Sequence, residues 1–291
     1  MGSETREGKS KSEKLESKLY RMANSAMCFS IAYMLILYGY YFATAIMAKV
    51  FGLDPTVYYY GIKILLNKHH WSKFNVFFIY TFGTLYLALM AMFCAFLFFK
   101  LKENLRTMNL VFLWGSIIAF SMFCGQFIIA ALGAQEYNSP FFQNLTVAFA
   151  WIYLPLPLIY ILTIPAGALL CFLATKASKP LLTLAYSFSK VNKPMRKRKY
   201  FLETVIGPFL IGGLGTFFFT FPLNIYVNLV YLLMIAIALV VAFVIIPFQE
   251  LQIDEVLRYK KLQDINISII LILGLLIVIF SLTWKGIILA F

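Results

Sequence analysis

Residues 176–199, KASKPLLTLAYSFSKVNKPMRKRK, set how the rest of the chain is arranged. They hold eight lysines and arginines and no acid, and they lie between two long apolar blocks. Moving that much fixed positive charge through hydrocarbon is strongly unfavourable, so this loop is expected to stay cytoplasmic. Its placement then gives a direction to every apolar segment before and after it.

Working outward, the apolar blocks dominate. Hydrophobic residues make up 62% of the 291 positions and charged residues only 13%, where a soluble chain carries about 25% charge. Several blocks exceed the length of about 18 residues that separates a membrane span from a core helix. The expected fold is all-α: a polytopic transmembrane helix bundle of about seven spans. A single membrane domain over 22–291, with the basic cytoplasmic loop at 175–203, follows a polar cytoplasmic tail at 1–21. The tail is mixed in charge, and the first apolar block is too long for a secretory signal.

The formal charge of +13 invites a nucleic-acid reading, but placement excludes it. Twenty of the 25 basic residues fall in segments assigned to one side. That is the footprint of membrane orientation and of contact with anionic headgroups.

The first span is expected at 24–50, behind Lys18 and Arg21, which puts the N-terminus inside. An external connection follows at 51–73. Asp54-Pro55 reads as a helix start, and TVYYYGIKILL as a short interfacial or re-entrant helix ending near Asn67. Its tyrosines suit the membrane–water boundary. The second span is expected at 74–99, with Lys100, Lys102 and Arg106 in a cytoplasmic turn. The third is at 108–132, followed by the external turn AQEYNSPFFQN.

The fourth span, 147–174, contains Pro155, Pro157 and Pro165 and should be kinked. In the basic loop, Pro180 is expected to open a short amphipathic helix with Leu181, Leu184, Ala185 and Phe188 on one face. Glycines at 207, 212, 213 and 215 mark the fifth span, 204–222, as a place of close helix approach or breakage. The sixth span is at 225–248, followed by a cytoplasmic helical extension, QELQIDEVLRYKKLQD. The seventh, 265–291, would end outside, so the C-terminus is expected there. Lys49, Lys63, Lys68 and Lys73 run against the inside bias, and snorkelling from an amphipathic helix would accommodate them.

The chemistry-bearing residues are few. Cys28, Cys94, Cys124 and Cys171 all sit in apolar spans without CxxC spacing and read as small core residues. His69-His70 is the only histidine pair. Adjacent helical residues point about 100° apart and chelate one ion poorly. With Asp54 and Glu136 the pair forms the candidate metal or proton site, against a plainer reading of histidines wetted at the interface beside Trp71. No span carries a charge at mid-bilayer, which argues against an ion pump. Neutral groups in the outer halves, Gln126, Trp151, Tyr153, Asn224 and Asn228, are the candidate lining of an outward-facing pocket, each also readable as an interhelical hydrogen bond. Asn144-Leu145-Thr146 matches the glycosylation pattern but lies too near a span. Lys193, Arg196, Lys197, Arg198 and Lys199 are the candidate contacts to anionic lipid. There is no P-loop, GxSxG or GxGxxG, and no cofactor is implied.

Three functions are therefore weighed. The first is binding or transport of a small neutral or amphipathic molecule through an outward-facing pocket. The second is a structural or assembly subunit that docks protein partners or anionic lipid through its basic loop. The third is an enzyme working through His69 and His70.

Overall fold

The computed structural model describes residues 2–58, 61–65, 71–101, 106–136, 138–185, 188–220, 225–251, 267–283 and 286–288. Helix α1 spans Gly2–Val50, so the polar tail and the first apolar block form one helix. Within it, residues Lys18–Val50 are the membrane candidate and the most enclosed of the six such stretches, with 72% of the apolar window buried. A helix that is apolar on every side belongs inside a bundle. Here α1 is the central rod. It packs against α2 (Lys73–Lys100), α3 (Arg106–Gly133), α7 (Gly207–Thr220) and α9 (Ile267–Leu282).

Six helical stretches are long and apolar enough to cross a membrane. They agree closely with the expected second, third and sixth spans, and overlap the first and the fifth, which begin earlier than expected, at Lys18 and Pro194. The fourth is kinked where its prolines cluster. Helix α4 (Leu145–Trp151) stops, the chain turns through Ile152–Pro155, and α5 (Leu156–Thr183) begins after Pro155. Tyr153 in this turn has a left-handed backbone, φ 55°. Pro165 stays inside α5.

Alternation of the rods gives the bundle two ends. At the basic end lie the start of the α1 span, Lys100, Lys176 and α6 (Pro194–Phe201). At the other end α1 finishes against a small sheet. This sheet corrects the expected interfacial helix after the first span. β1 (Asp54–Tyr58) and β2 (Gly61–Leu65) pair antiparallel, with Asp54 opposite Leu65 and Tyr58 opposite Gly61. A third strand, β3 (Ile287–Ile288), pairs with β1 on its other edge. The physical reason is visible in the residues. Thr56, Val57, Tyr58, Ile62 and Ile64 are β-branched or aromatic, and burial alternates with a period of two along β1: Pro55 and Val57 in, Asp54 out. The all-α expectation thus holds for the bundle and fails for this cap. Lys49 does not snorkel. Its Nζ lies 2.9 Å from Asp54 Oδ1 and ties the end of α1 to β1.

Two further boundaries move. Pro180 does not start a helix; it lies inside α5, which runs on to Thr183. The basic run begins a continuous helical stretch, Pro194–Phe218, in which α6 passes through a π-turn at Leu202–Ile206 into α7. Its lysines and arginines therefore stand on the first turns of the fifth span, not on a free loop. The seventh segment ends sooner than expected: α9, described from Ile267, stops at Leu282. Gly286, with φ 83°, turns the chain into β3. α8 (Ile225–Ile245) closes with a 3-10 turn at Ile246–Phe248. Of the expected extension at 249–264, residues 252–264 lie outside the described residues, as do Trp284 and Lys285.

The glycines of the fifth span differ in what they do. A Cβ at Gly212 would stand 2.9 Å from the Ala26 carbonyl oxygen and 2.7 Å from the Phe29 ring on α1, whereas one at Gly215 would meet nothing within 4 Å. Gly212→Ala is therefore expected to destabilise by about 1–3 kcal/mol through overpacking. Gly215→Ala should be neutral or stabilise by up to about 1 kcal/mol through helix propensity. Unfolding titrations of the two variants in detergent check the contrast.

Candidate functional site

The neutral polar residues expected to share a pocket separate into two groups. Gln126 on α3 and Asn228 on α8 are fully buried in helix contacts. The Gln126 amide donates to Tyr231 Oη at 2.5 Å, and Tyr33 Oη donates to Asn228 Oδ1 at 3.3 Å. Tyr40 and Tyr41 of α1 are buried too, their rings 5.6 Å apart. This cluster joins α1, α3 and α8 across the centre of the bundle. In an apolar slab each such bond contributes about 1–2 kcal/mol at most to helix association.

Trp151 and Tyr153 belong elsewhere. Tyr153 is 74% exposed, and Trp151 is also at the surface. The Trp151 ring lies 5.9 Å from that of Trp71, and Lys73 Nζ sits 4.3 Å above the Tyr153 ring. Together they clasp the kink before α5 to the start of α2. Asn224 lies outside the described residues.

The candidate metal or proton group is not assembled either. His69 and His70 lie outside the described residues. Asp54 is paired with Lys49, and Glu136 is exposed in the connection after α3, where its backbone carbonyl accepts from Ser139 N–H. Among the described residues no three histidine, cysteine, aspartate or glutamate side chains come together. Three cysteines are buried and Cys171 faces outward on α5. Thr146 is buried and donates its hydroxyl hydrogen towards the carbonyls of Phe141 and Ile129, so the glycosylation-like triplet has a packing role.

The basic residues also divide. Lys197 is buried, and its Nζ donates to the Gln249 carbonyl at 2.6 Å, fastening α6 to the end of α8. Arg196 holds the Ser189 carbonyl at 2.9 Å, and the Arg198 guanidinium lies 5.7 Å from the Phe243 ring. Lys193 and Lys199 are exposed. Beside them Lys18 on α1 pairs with Glu203 at 2.9 Å. The run is therefore part fastening and part charged surface.

An apolar cleft in the basic half of the bundle is the feature that sequence reasoning missed. It has a volume of about 450 Å³. Ala88, Ala91 and Ala95 of α2 line one wall, and Leu173, Ala174 and Ala177 of α5 the other; the floor is Ser116, Phe120 and Ser121 of α3 with Ala238 and Ala242 of α8. Small side chains leave this space. α2 and α5 each pack along α3 and do not form a packed pair with each other, so the gap lies between them. Met92 and Phe99 on one lip and Leu169 on the other are exposed, so the cleft opens sideways. Its polar lining is sparse: Ser116, Ser121 and, in the α5 wall, Lys176. The alanines of α2 and α5 were its only sequence signal, and a run of alanines in a span reads equally well as close helix packing.

The chain matches no protein-family model, no curated protein and no solved structure.

Two consequences follow for the polar contacts. Lys197→Met should lower stability by about 1–3 kcal/mol, because the Gln249 carbonyl loses its donor in a buried place, while Lys199→Met stays within about 0.5 kcal/mol; thermal melts in detergent measure both. Tyr231→Phe should cost about 1 kcal/mol by removing the partner of Gln126. Combining it with Gln126→Leu should recover part of that loss, read as a non-additive double-mutant cycle.

Proposed function

We propose that this protein binds an amphipathic molecule drawn sideways from the bilayer into the cleft between α2 and α5. The observation that carries the reading is the cleft itself. It lies within the size range of about 300–1,000 Å³ typical of ligand sites, its walls are apolar, and its opening faces the surface that the apolar helices present to lipid. A polar solute would lose its hydration there with almost nothing to replace it. A molecule already dissolved in the membrane would not. The cleft lies in the basic half, so the ligand would enter from the leaflet next to the lysines and arginines. By the positive-inside bias that leaflet is the cytoplasmic one, with the N-terminus inside and the C-terminal strand outside.

A second reading rests on the exposed charges of the basic end. Lys193, Arg198 and Lys199 offer an anionic-headgroup or partner-docking surface on the first turns of the fifth span. It is compatible with the first, since a surface that gathers anionic lipid would also supply the cleft.

The test is to fill the space. Ala95→Trp in α2, or Ala177→Trp in α5, places an indole in the cleft. The wild-type protein purified in detergent should retain about one amphiphile per chain by mass spectrometry of the extract. Both variants should lose it while keeping helical circular dichroism. Identical extracts from wild type and variants would rule the reading out.

A further inference from the structure

We infer that the ligand of this cleft is a single-chain fatty carboxylate whose headgroup is held by Lys176, an assignment that rests on the binding reading above. Three observations lead there.

The first is volume. A methylene fills roughly the ~30 Å³ that a water molecule does, so 450 Å³ accepts about fifteen chain carbons. That is one long acyl chain. Two such chains would exceed that volume.

The second is length. The α2 wall runs from Ala88 to Phe99 and the α5 wall from Leu169 to Leu181. At the helical rise these are about 16 and 18 Å, close to half of the ~30 Å hydrocarbon core. The cleft is therefore one leaflet deep, and an extended chain would lie along it from the headgroup level to the bilayer middle.

The third is charge. Among the described lining residues Lys176 is the one cation, and no acid accompanies it. It stands part way along the α5 wall, between Leu169 and Leu181, exposed, with its Nζ 5.5 Å from the Phe172 ring, and its flexible stem lets the ammonium swing toward the headgroup level. A lysine is a point charge with three donors. One such charge neutralises one carboxylate. A phosphate carries more charge and is commonly matched by a forked guanidinium, and none is among the described lining residues. The remaining polar groups among the described lining residues are the hydroxyls of Ser116 and Ser121 on the floor.

Binding of labelled palmitate to the full-length protein in an uncharged detergent tests the assignment, with hexadecanol, hexadecyl phosphate and cetyltrimethylammonium as competitors. Palmitate should compete roughly tenfold or more better than hexadecanol, since a charge-assisted bond replaces a neutral one. Lys176→Met should bring palmitate down to the level of the alcohol and leave the alcohol unchanged, and Lys176→Arg should keep the preference. Lys73→Met, at the opposite end of the bundle, should alter neither. Equal binding of acid and alcohol to the wild type, both abolished by Ala95→Trp, would overturn the carboxylate and leave the amphiphile reading standing. A preference for the phosphate or the cation would overturn it likewise. Failure of all four probes would overturn the assignment, and with identical extracts from wild type and Ala95→Trp the broader reading falls too.

Discussion

Polar groups inside hydrocarbon must find partners within the protein, because lipid offers none. This requirement shapes the bundle from its centre outward. α1 runs through the middle, where its Tyr33 meets Asn228 of α8 and Gln126 of α3 meets Tyr231. The remaining helices assemble round that rod. Charge is dealt with at the two ends: Lys18 with Glu203 at one, Lys49 with Asp54 at the other. Where charge cannot reach solvent, as at Lys197, a backbone carbonyl meets it.

The same requirement explains the sheet. After α1 the chain must turn back, and its backbone groups need partners at the boundary. A hairpin joined by the C-terminal strand provides them by pairing backbone with backbone. The Tyr38 hydroxyl bonds Thr283 just before that strand, so the end of α9 is held to α1 below the sheet. The first and last apolar segments thereby become neighbours, although they are far apart in the chain.

The cleft is a consequence of what does not pack. α2 and α5 both follow α3, but the alanines facing the gap are too small to fill it. In water such a gap would be a defect, costing stability with every lost contact. In a bilayer an apolar chain can occupy it without giving up hydration. Lys176 in its α5 wall adds a charge that would distinguish one such chain from another.

Much of this was legible in the chain. The density of apolar residues, the blocks without charge and the bias of lysine and arginine give a helical membrane bundle, because the cost of burying charge in hydrocarbon is large and local. The second, third and sixth spans follow within a residue or two, and the proline cluster marks the broken fourth span. Less was legible wherever the outcome depended on a distant partner. TVYYYGIKILL carries both an interfacial-helix reading and a strand alternation; it forms two strands that pair with each other, and Ile287 and Ile288 pair on the other edge of the first. Lys197 and Lys199 are alike in sequence, but only the first meets the Gln249 carbonyl. Gln126 and Trp151 both looked like pocket lining, yet one is locked in the core and the other clasps a surface kink. The cleft was invisible for the same reason. An empty volume belongs to no residue, and it exists only where four helices come together and leave their small side chains facing one another.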